Sequence, residues 1–337
     1  METGLRDLGR MPIVPSVKVT ALAHPNIAFI KYWGNRENGL RLPANSSLSM
    51  NLGDLRTETS VEFDSELRQD ELVLDGHVAG AEQLQRVSEF LDLIRGMAGI
   101  RPKARVDSRN NFPSGAGIAS SSSAFASLAL ASSAAAGLQL DERELSRLAR
   151  RGSGSASRSV PGGFVEWHAG ENDETSYAET IAQPGHWGLV DCIAIVSEGH
   201  KSVGSTRGHE LAATSPLQTA RLGSVNERLQ GCRDAILGRD FQSLAEVVDL
   251  DSMLMHAVMM TSTPPLLYWE PASLAVMKAV RQWRAEGLNV CSTLDAGPNV
   301  HVLCEVKAGD QVAGELTKVS GVLRVLQSSA GNGVRLL

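Results

Sequence analysis

At 337 residues the chain is long enough for two domains, and 42% hydrophobic with 21% charged residues describes an ordinary soluble globular protein. A formal net charge of −6, with no stripe of lysine and arginine, argues against a nucleic-acid binder, so any anionic ligand must be held locally. Cys192, Cys232, Cys291 and Cys304 lack Cys-x-x-Cys spacing, which points away from a zinc site or disulfide framework and towards buried free thiols in a reducing cytoplasm.

Met1 to Ser16 mixes charges with Gly and Pro and has no apolar core, so it reads as a loose leader and neither a signal peptide nor a membrane anchor. Val17 to Ala23 reads as a strand that runs into an apolar segment carrying Asn26, Lys31 and Tyr32 and ending at Gly34-Asn35. An ammonium in that setting either finds a carboxylate or phosphate or snorkels from the strand end. Arg56 to Asp64 alternates as a half-exposed strand does, Leu72 to His77 reads as a strand turning at Asp75-Gly76, and Gln83 to Met97 is amphipathic at helical spacing.

Arg105 to Ser108 reads as a strand delivering the most informative stretch, Asn110 to Ser127. Gly115 and Gly117 permit close approach of backbone to an anion, Pro113 fixes the entry direction, and Ser120 to Ser123 offer hydroxyls at the start of an Ala/Leu/Ser-rich helix. Neither standard nucleotide motif is present, since there is no Gly-Lys-Ser/Thr and no third glycine. A small-residue helix packed tightly on a sheet accounts for the same composition.

Asp141 to Arg150 begins acidic and ends basic, as suits a helix dipole. Arg151 to Trp167 is either a Gly/Ser-rich linker or an anion-binding cluster in which Ser153, Gly154 and Ser155 surround Arg158, whose planar fork suits a carboxylate. After Gly188 the texture changes to an apolar strand, Asp191 to Val196, taken as the start of a second domain; Ser205 is a further candidate phosphate ligand. Ser215 to Gly238 and Phe241 to Met259 read as two long helices, the second rich in methionine and carrying an interior His256. Ser273 to Glu286 follows as a helix, and Cys291 to Glu305 reads as strand, turn and strand, with Asp295 in the turn either an Asx-turn former or an acid at work. One polyphosphate turn, one lysine, one hydroxyl/arginine cluster and one turn-borne aspartate together describe phosphoryl transfer to a small acidic alcohol.

Pro113 through Ser122 resembles the ATP loop of the GHMP kinase superfamily. Four segments in order resemble the mevalonate diphosphate/phosphomevalonate decarboxylase family: Asn26-Ile27-Ala28 with Lys31-Tyr32-Trp33-Gly34; Asn111 to Ser121; Gly152 to Ser159 with Gly162-Gly163; and Asp295-Ala296-Gly297-Pro298-Asn299. The resemblance implies an α+β, GHMP-kinase-like two-domain fold. An S5-like α/β domain would occupy 17–188, a ferredoxin-like α+β domain 189–337, and the active-site cleft would lie between them. It implies ATP-dependent phosphorylation of a tertiary 3-hydroxyl followed by loss of phosphate and carbon dioxide. Asp295 would orient or deprotonate the hydroxyl, Lys31 would neutralise nearby charge, and Arg158 would clamp the carboxylate. Pro113, Ser114, Gly115, Ala116, Gly117, Ile118, Ala119, Ser120 and Ser121 would hold ATP, with Ser121 reaching magnesium. Asn26, Tyr32, Ser153, Gly154, Ser155 and Ser205 would hold the phosphorylated substrate. A cytoplasmic homodimer free of nucleic acid and membrane is the accompanying expectation.

The chain departs from the family where Lys-Tyr-Trp-Gly-Lys becomes Lys31-Tyr32-Trp33-Gly34-Asn35, and where Gly-Met becomes Gly208-His209. Losing the second lysine weakens a distal-phosphate site and leans the reading towards 5-phosphomevalonate, although Arg36 or Arg207 could compensate. The diphosphate as substrate, a GHMP kinase without decarboxylation, and a non-catalytic nucleotide sensor are the alternatives.

Overall fold

The computed structural model describes residues 17–113, 120–199 and 203–337. The leader expected at 1–16 and the turn residues Ser114, Gly115, Ala116, Gly117, Ile118 and Ala119 lie outside the described residues. In chain order the strands are β1 (Val19–Ala23), β2 (Asn26–Ile30), β3 (Asn35–Glu37), β4 (Leu42–Pro43), β5 (Ser47–Asn51), β6 (Thr57–Asp64), β7 (Glu71–Leu74), β8 (His77–Val78), β9 (Lys103–Asn110), β10 (Phe164–Trp167), β11 (Ala178–Ala182), β12 (Leu189–Ile195), β13 (Val290–Thr293), β14 (Val300–Glu305), β15 (Arg324–Ser329) and β16 (Arg335–Leu336). The helices are α1 (Ala81–Ala98), α2 (Ser120–Ala135), α3 (Glu142–Gly152), α4 (Ser205–Leu211), α5 (Gln218–Gly223), α6 (Val225–Gly238), α7 (Phe241–Met260), α8 (Pro271–Ala285) and α9 (Gly309–Leu316).

Local chemistry accounts for most of these elements. Along β6 every second side chain is buried, the outcome that its polar/apolar alternation predicts. Asp75 and Gly76 both take positive φ between β7 and β8, as a tight hairpin requires. Asp141 accepts the Glu144 N–H while Glu144 reaches back to the Asp141 N–H, a capping box that starts α3. The single helix expected from Ser215 to Gly238 is instead α5 and α6. The break falls at Gly223-Ser224, where a poor helix former precedes Ser224, which leaves helical geometry.

Three larger sheets form layers. The first has the order β16-β1-β6-β9-β7-β8, the second β11-β10-β5-β2 and the third β13-β14-β12-β15; β3 and β4 form a separate hairpin. Helices α1, α2 and α3 share an apolar core with the first sheet. Helices α6 and α7 fill the space between the second and third sheets, where Ile27, Phe29, Leu48 and Phe164 join Leu229, Leu244, Val248, Ile193 and Leu303 in one core. The other face of the third sheet is covered by α8 and α9. β2 is the edge strand of the second sheet, packed on α6 and α7, and its C-terminal end leads directly to Lys31.

The chain closes on itself. Beyond β15, Gly331 N–H donates to Asn51 O at 2.8 Å, its carbonyl accepts Gly163 N–H at 2.8 Å, and β16 pairs with β1. A Cβ on Gly331 would stand 2.5 Å from Gly53 Cα, so two backbones cross with no space for a side chain. Gly331→Val is expected to destabilise the protein by about 1–3 kcal/mol in urea unfolding, the usual cost of forcing atoms into filled space. Gly185→Ala, with nothing within 4 Å of its added Cβ, serves as the near-neutral control.

Candidate active site

Lys31 leaves the end of β2 with its side chain 1% exposed, and its Nζ donates to Asp295 Oδ1 at 2.6 Å. Asp295 sits on the turn between β13 and β14 and is 27% exposed, so the pair lies where a buried strand end meets open space. Burial alone would raise the Asp295 carboxyl; the Lys31 ammonium, with His301 and Arg158 beyond it, outweighs that and holds it below its ordinary value. Asp295 is therefore an ionised acceptor, the form that a base facing an alcohol needs.

The backbone of Lys31 is fixed from the opposite side by a network absent from the sequence reading. Asp251 on α7, wholly buried, accepts Lys31 N–H at 2.7 Å and Arg228 Nε at 2.8 Å. Arg221 donates to Lys31 O at 2.6 Å, and Asn45 donates to the same carbonyl at 3.0 Å. Asp251 falls on the buried stripe of α7 between Val248 and Met255, and an acid on an apolar stripe is the signal that could have found it. His256, one turn further, is buried against Trp269 with its ring towards the backbone carbonyls of Leu294 and Asp295. Burial, then Lys31, push its pKa down to about 4, so it is neutral, an interior residue as expected and one that supports the Asp295 turn.

The Gly/Ser segment after α3 is not a linker. Gly154–Ser159 forms a largely buried two-turn 3₁₀ helix that carries Arg158 inwards. Arg158, 3% exposed, donates to Ser47 Oγ at 2.7 Å and Asn26 Oδ1 at 3.2 Å; Asn26 in turn donates to Ser159 Oγ at 2.8 Å and Ser155 O at 3.1 Å. No carboxylate among the described residues forms an ion pair with this guanidinium. Burial pushes its pKa down to about 10, opposed by Asp295. A buried, incompletely matched guanidinium is a place prepared for an anion.

Tyr32 packs edge-on to Trp167 and stacks on His209 at 3.9 Å, and its hydroxyl donates to Asn35 Oδ1. Gly154 passes so close that a Cβ there would lie 2.6 Å from the Tyr32 ring. His209 Nδ1 accepts Gly34 N–H at 3.0 Å, and Gly208 lets α4 lie flush on Trp33, whose ring a Cβ would meet at 2.4 Å.

These elements surround one cleft of about 510 Å³. It is lined by the expected Lys31, Tyr32, Ser120, Ser121, Ser153, Gly154, Ser155, Arg158, Ser205 and Asp295. Asn26 stands behind Arg158, and Pro113 is described but is not part of the lining. Ser121 Oγ, in the first turn of α2, lies 3.3 Å from Ser153 Oγ, so the two serine segments meet. Of the two arginines offered as compensating, Arg207 lines the cleft beside Glu210, whereas Arg36 donates to Ala169 O. Arg41 and Arg86 also line the cleft and were not anticipated; one is in a turn and the other on an amphipathic helix, and neither is unusual in its stretch of sequence. All four cysteines are free and buried, and no helix among the described residues is long and apolar enough to cross a membrane.

Comparison with known proteins agrees with this geometry. Residues 23–178 match the family profile described as the diphosphomevalonate decarboxylase-like N-terminal domain, and residues 192–330 match that of the mevalonate 5-diphosphate decarboxylase C-terminal domain. The chain is 38% identical to the diphosphomevalonate decarboxylase mvd1 of Aspergillus fumigatus over 326 residues, covering 90% of this chain and 81% of that one. It is 34% identical to the phosphomevalonate decarboxylase of Haloferax volcanii, covering 85% and 88%. A solved structure described as a complex with MVAPP, AMPPCP and magnesium superposes with a TM-score of 0.90 at 40% identity, covering 95% of this chain and 98% of that one. The mevalonate diphosphate decarboxylase of Staphylococcus aureus gives 0.90 at 38% identity, with the same coverage. The two-domain GHMP-kinase-like fold expected from the sequence is the fold observed.

The brace beneath Lys31 generates its own prediction. Asp251→Ala strands Arg228 and Arg221 in the interior and is expected to lower unfolding stability by about 3–5 kcal/mol, the cost of removing one partner from a buried ion pair. Chemical denaturation followed by tryptophan fluorescence measures it, and a loss under about 1 kcal/mol would refute the brace.

Proposed function

The chain belongs to the diphosphomevalonate decarboxylase family, and on that premise we propose that it carries out ATP-dependent decarboxylation of a 5-phosphorylated mevalonate. The observation that carries the reading is the 2.6 Å contact of Lys31 with an ionised Asp295 in a cleft where Arg158 has no carboxylate partner among the described residues. One group is ready to accept a hydroxyl proton and another to receive a carboxylate.

In this reading Asp295 orients the tertiary 3-hydroxyl and takes its proton as the hydroxyl oxygen becomes phosphorylated, while Lys31 keeps the acid ionised and in place. Arg158 holds the substrate carboxylate through its planar fork. The C3–O bond then breaks with its electron pair leaving on phosphate. The C1–C2 pair becomes the new C2=C3 bond and carbon dioxide departs, so no external oxidant or acid is needed. Phosphate leaves far more readily than hydroxide, which is the reason for phosphorylating the alcohol first.

The residues present fit a magnesium nucleotide. Ser120 and Ser121 open a helix N-terminus towards the cleft, where backbone N–H groups and hydroxyls suit a phosphate. When bound, Mg–ATP supplies the phosphoryl group and the metal offsets its charge. Tyr32, Ser153, Ser155 and Ser205 would hold the substrate's phosphorylated end, with Asn26 fixing Arg158.

We assign 5-phosphomevalonate as the preferred substrate, giving isopentenyl phosphate. Asn35 stands where the family has a second lysine, and its amide is engaged by the Tyr32 hydroxyl and by Asn38 Oδ1. The rival is 5-diphosphomevalonate, favoured by the naming of most similar relatives. Assay of both compounds with ATP and magnesium, following ADP, phosphate and carbon dioxide, decides it; a tenfold higher kcat/KM for the diphosphate would reverse the assignment. Asp295→Asn is expected to retain nucleotide binding while reducing turnover by about 10²–10⁴-fold, and unchanged turnover would remove Asp295 from its role. Arg158→Lys keeps the charge without the fork, so an elevated KM for the mevalonate and an unaltered KM for ATP are expected.

A further inference from the structure

Arg41 combines three features that its surroundings do not explain. It ends the turn between β3 and β4 with φ at +50°, a conformation that glycine adopts freely and arginine does not. Its Nε donates to Arg151 O at 3.1 Å, the penultimate residue of α3, and no carboxylate among the described residues pairs with it. It lines the cleft, near enough to Tyr32 for its charge to act on the phenol.

Arg86 repeats the arrangement from the other side. It lies over the Phe125 ring at 4.6 Å and donates to Gly152 O at 2.8 Å, the next carbonyl along the same helix end. Two guanidiniums thus hang from consecutive carbonyls at the root of the Ser153-Gly154-Ser155 segment. Burial, then the Arg41 charge, push Arg86 down to about 10, and Glu82 is the acid that opposes this. Two like charges held together with one partly exposed acid beside them form a seat for a multivalent anion.

We propose that Arg41 is a specificity-determining residue that binds the 5-phosphate of the substrate, occupying the role left vacant by Asn35 across the same hairpin. Asn35 pairs with Pro43 in the β3–β4 register, and Arg41 lies two residues before that partner, at the end of the turn joining the two strands. A cation supplied from position 41 enters the cleft from the turn of this hairpin, in a lining shared with Tyr32 and Ser153. Its left-handed φ is a local strain of the kind kept at binding positions. The inference rests on the reading of the cleft as a phosphomevalonate site.

The test uses Arg41→Gly, which relaxes the backbone and deletes the guanidinium, together with Arg41→Lys. Calorimetric titration with 5-phosphomevalonate should show at least a tenfold loss of affinity for Arg41→Gly and a smaller loss for Arg41→Lys, while binding of a non-hydrolysable ATP analogue stays within twofold. The thermal midpoint of Arg41→Gly should stay level or rise, which a merely structural arginine would not allow. Adding Asn35→Lys to Arg41→Gly should restore affinity for phosphorylated mevalonate. Equal phosphomevalonate affinity in the parent and Arg41→Gly overturns the proposal, as does a loss confined to the nucleotide. Should the parent release no carbon dioxide from either phosphorylated mevalonate, the functional reading fails; Arg41 is then judged on inorganic phosphate, and equal binding by the parent and Arg41→Gly retires the site itself.

Discussion

An ammonium taken out of water must be matched or neutralised, and Lys31 is matched by an aspartate 264 residues further along the chain. That contact can form only if β2 of one unit and the β13–β14 turn of the other arrive at the same place. Around it the protein has arranged fixed supports: Asp251 and Arg221 on the lysine backbone, and His256 facing the Asp295 turn. Lys31 and the Asp295 turn are thus both braced from α7, which together with α6 fills the gap between two sheets. Chemistry and domain packing share the same atoms.

The cleft holds more positive charge than its own acids can answer. Arg158 is buried with hydroxyl and amide partners, and Arg41 and Arg86 lean on helix carbonyls. None of the three forms an ion pair among the described residues, and the Arg86 Nε is buried without a hydrogen-bond partner, which costs the fold stability. Proteins commonly keep such costs at sites where a ligand removes them, because the affinity gained is the desolvation already completed. An anionic ligand entering here therefore stabilises the fold as it binds.

How much of this could be read beforehand depended on whether a residue was unusual in its own neighbourhood. Lys31 in an apolar run, Arg158 among glycines and hydroxyls, and Asp295 in a Gly-Pro turn each stand out locally, and all three line one cleft. Arg41 and Arg86 do not stand out, since an arginine in a turn or on an amphipathic helix is ordinary; their placement follows from where the end of α3 meets both. The break between α5 and α6 was missed because Gly223 lies inside an otherwise periodic stretch, where one weak residue rarely decides. The strand β16 was missed because two residues carry no period at all.

That last strand has a bearing on how the molecule comes into being. β1 pairs with β6 on one side and with residues 335–336 on the other, contacts separated by more than three hundred positions. Until those residues are synthesised, the first sheet presents an open margin of backbone donors and acceptors beside a largely assembled core. Before that late segment is made, the free edge of β1 is a place where other strands can dock.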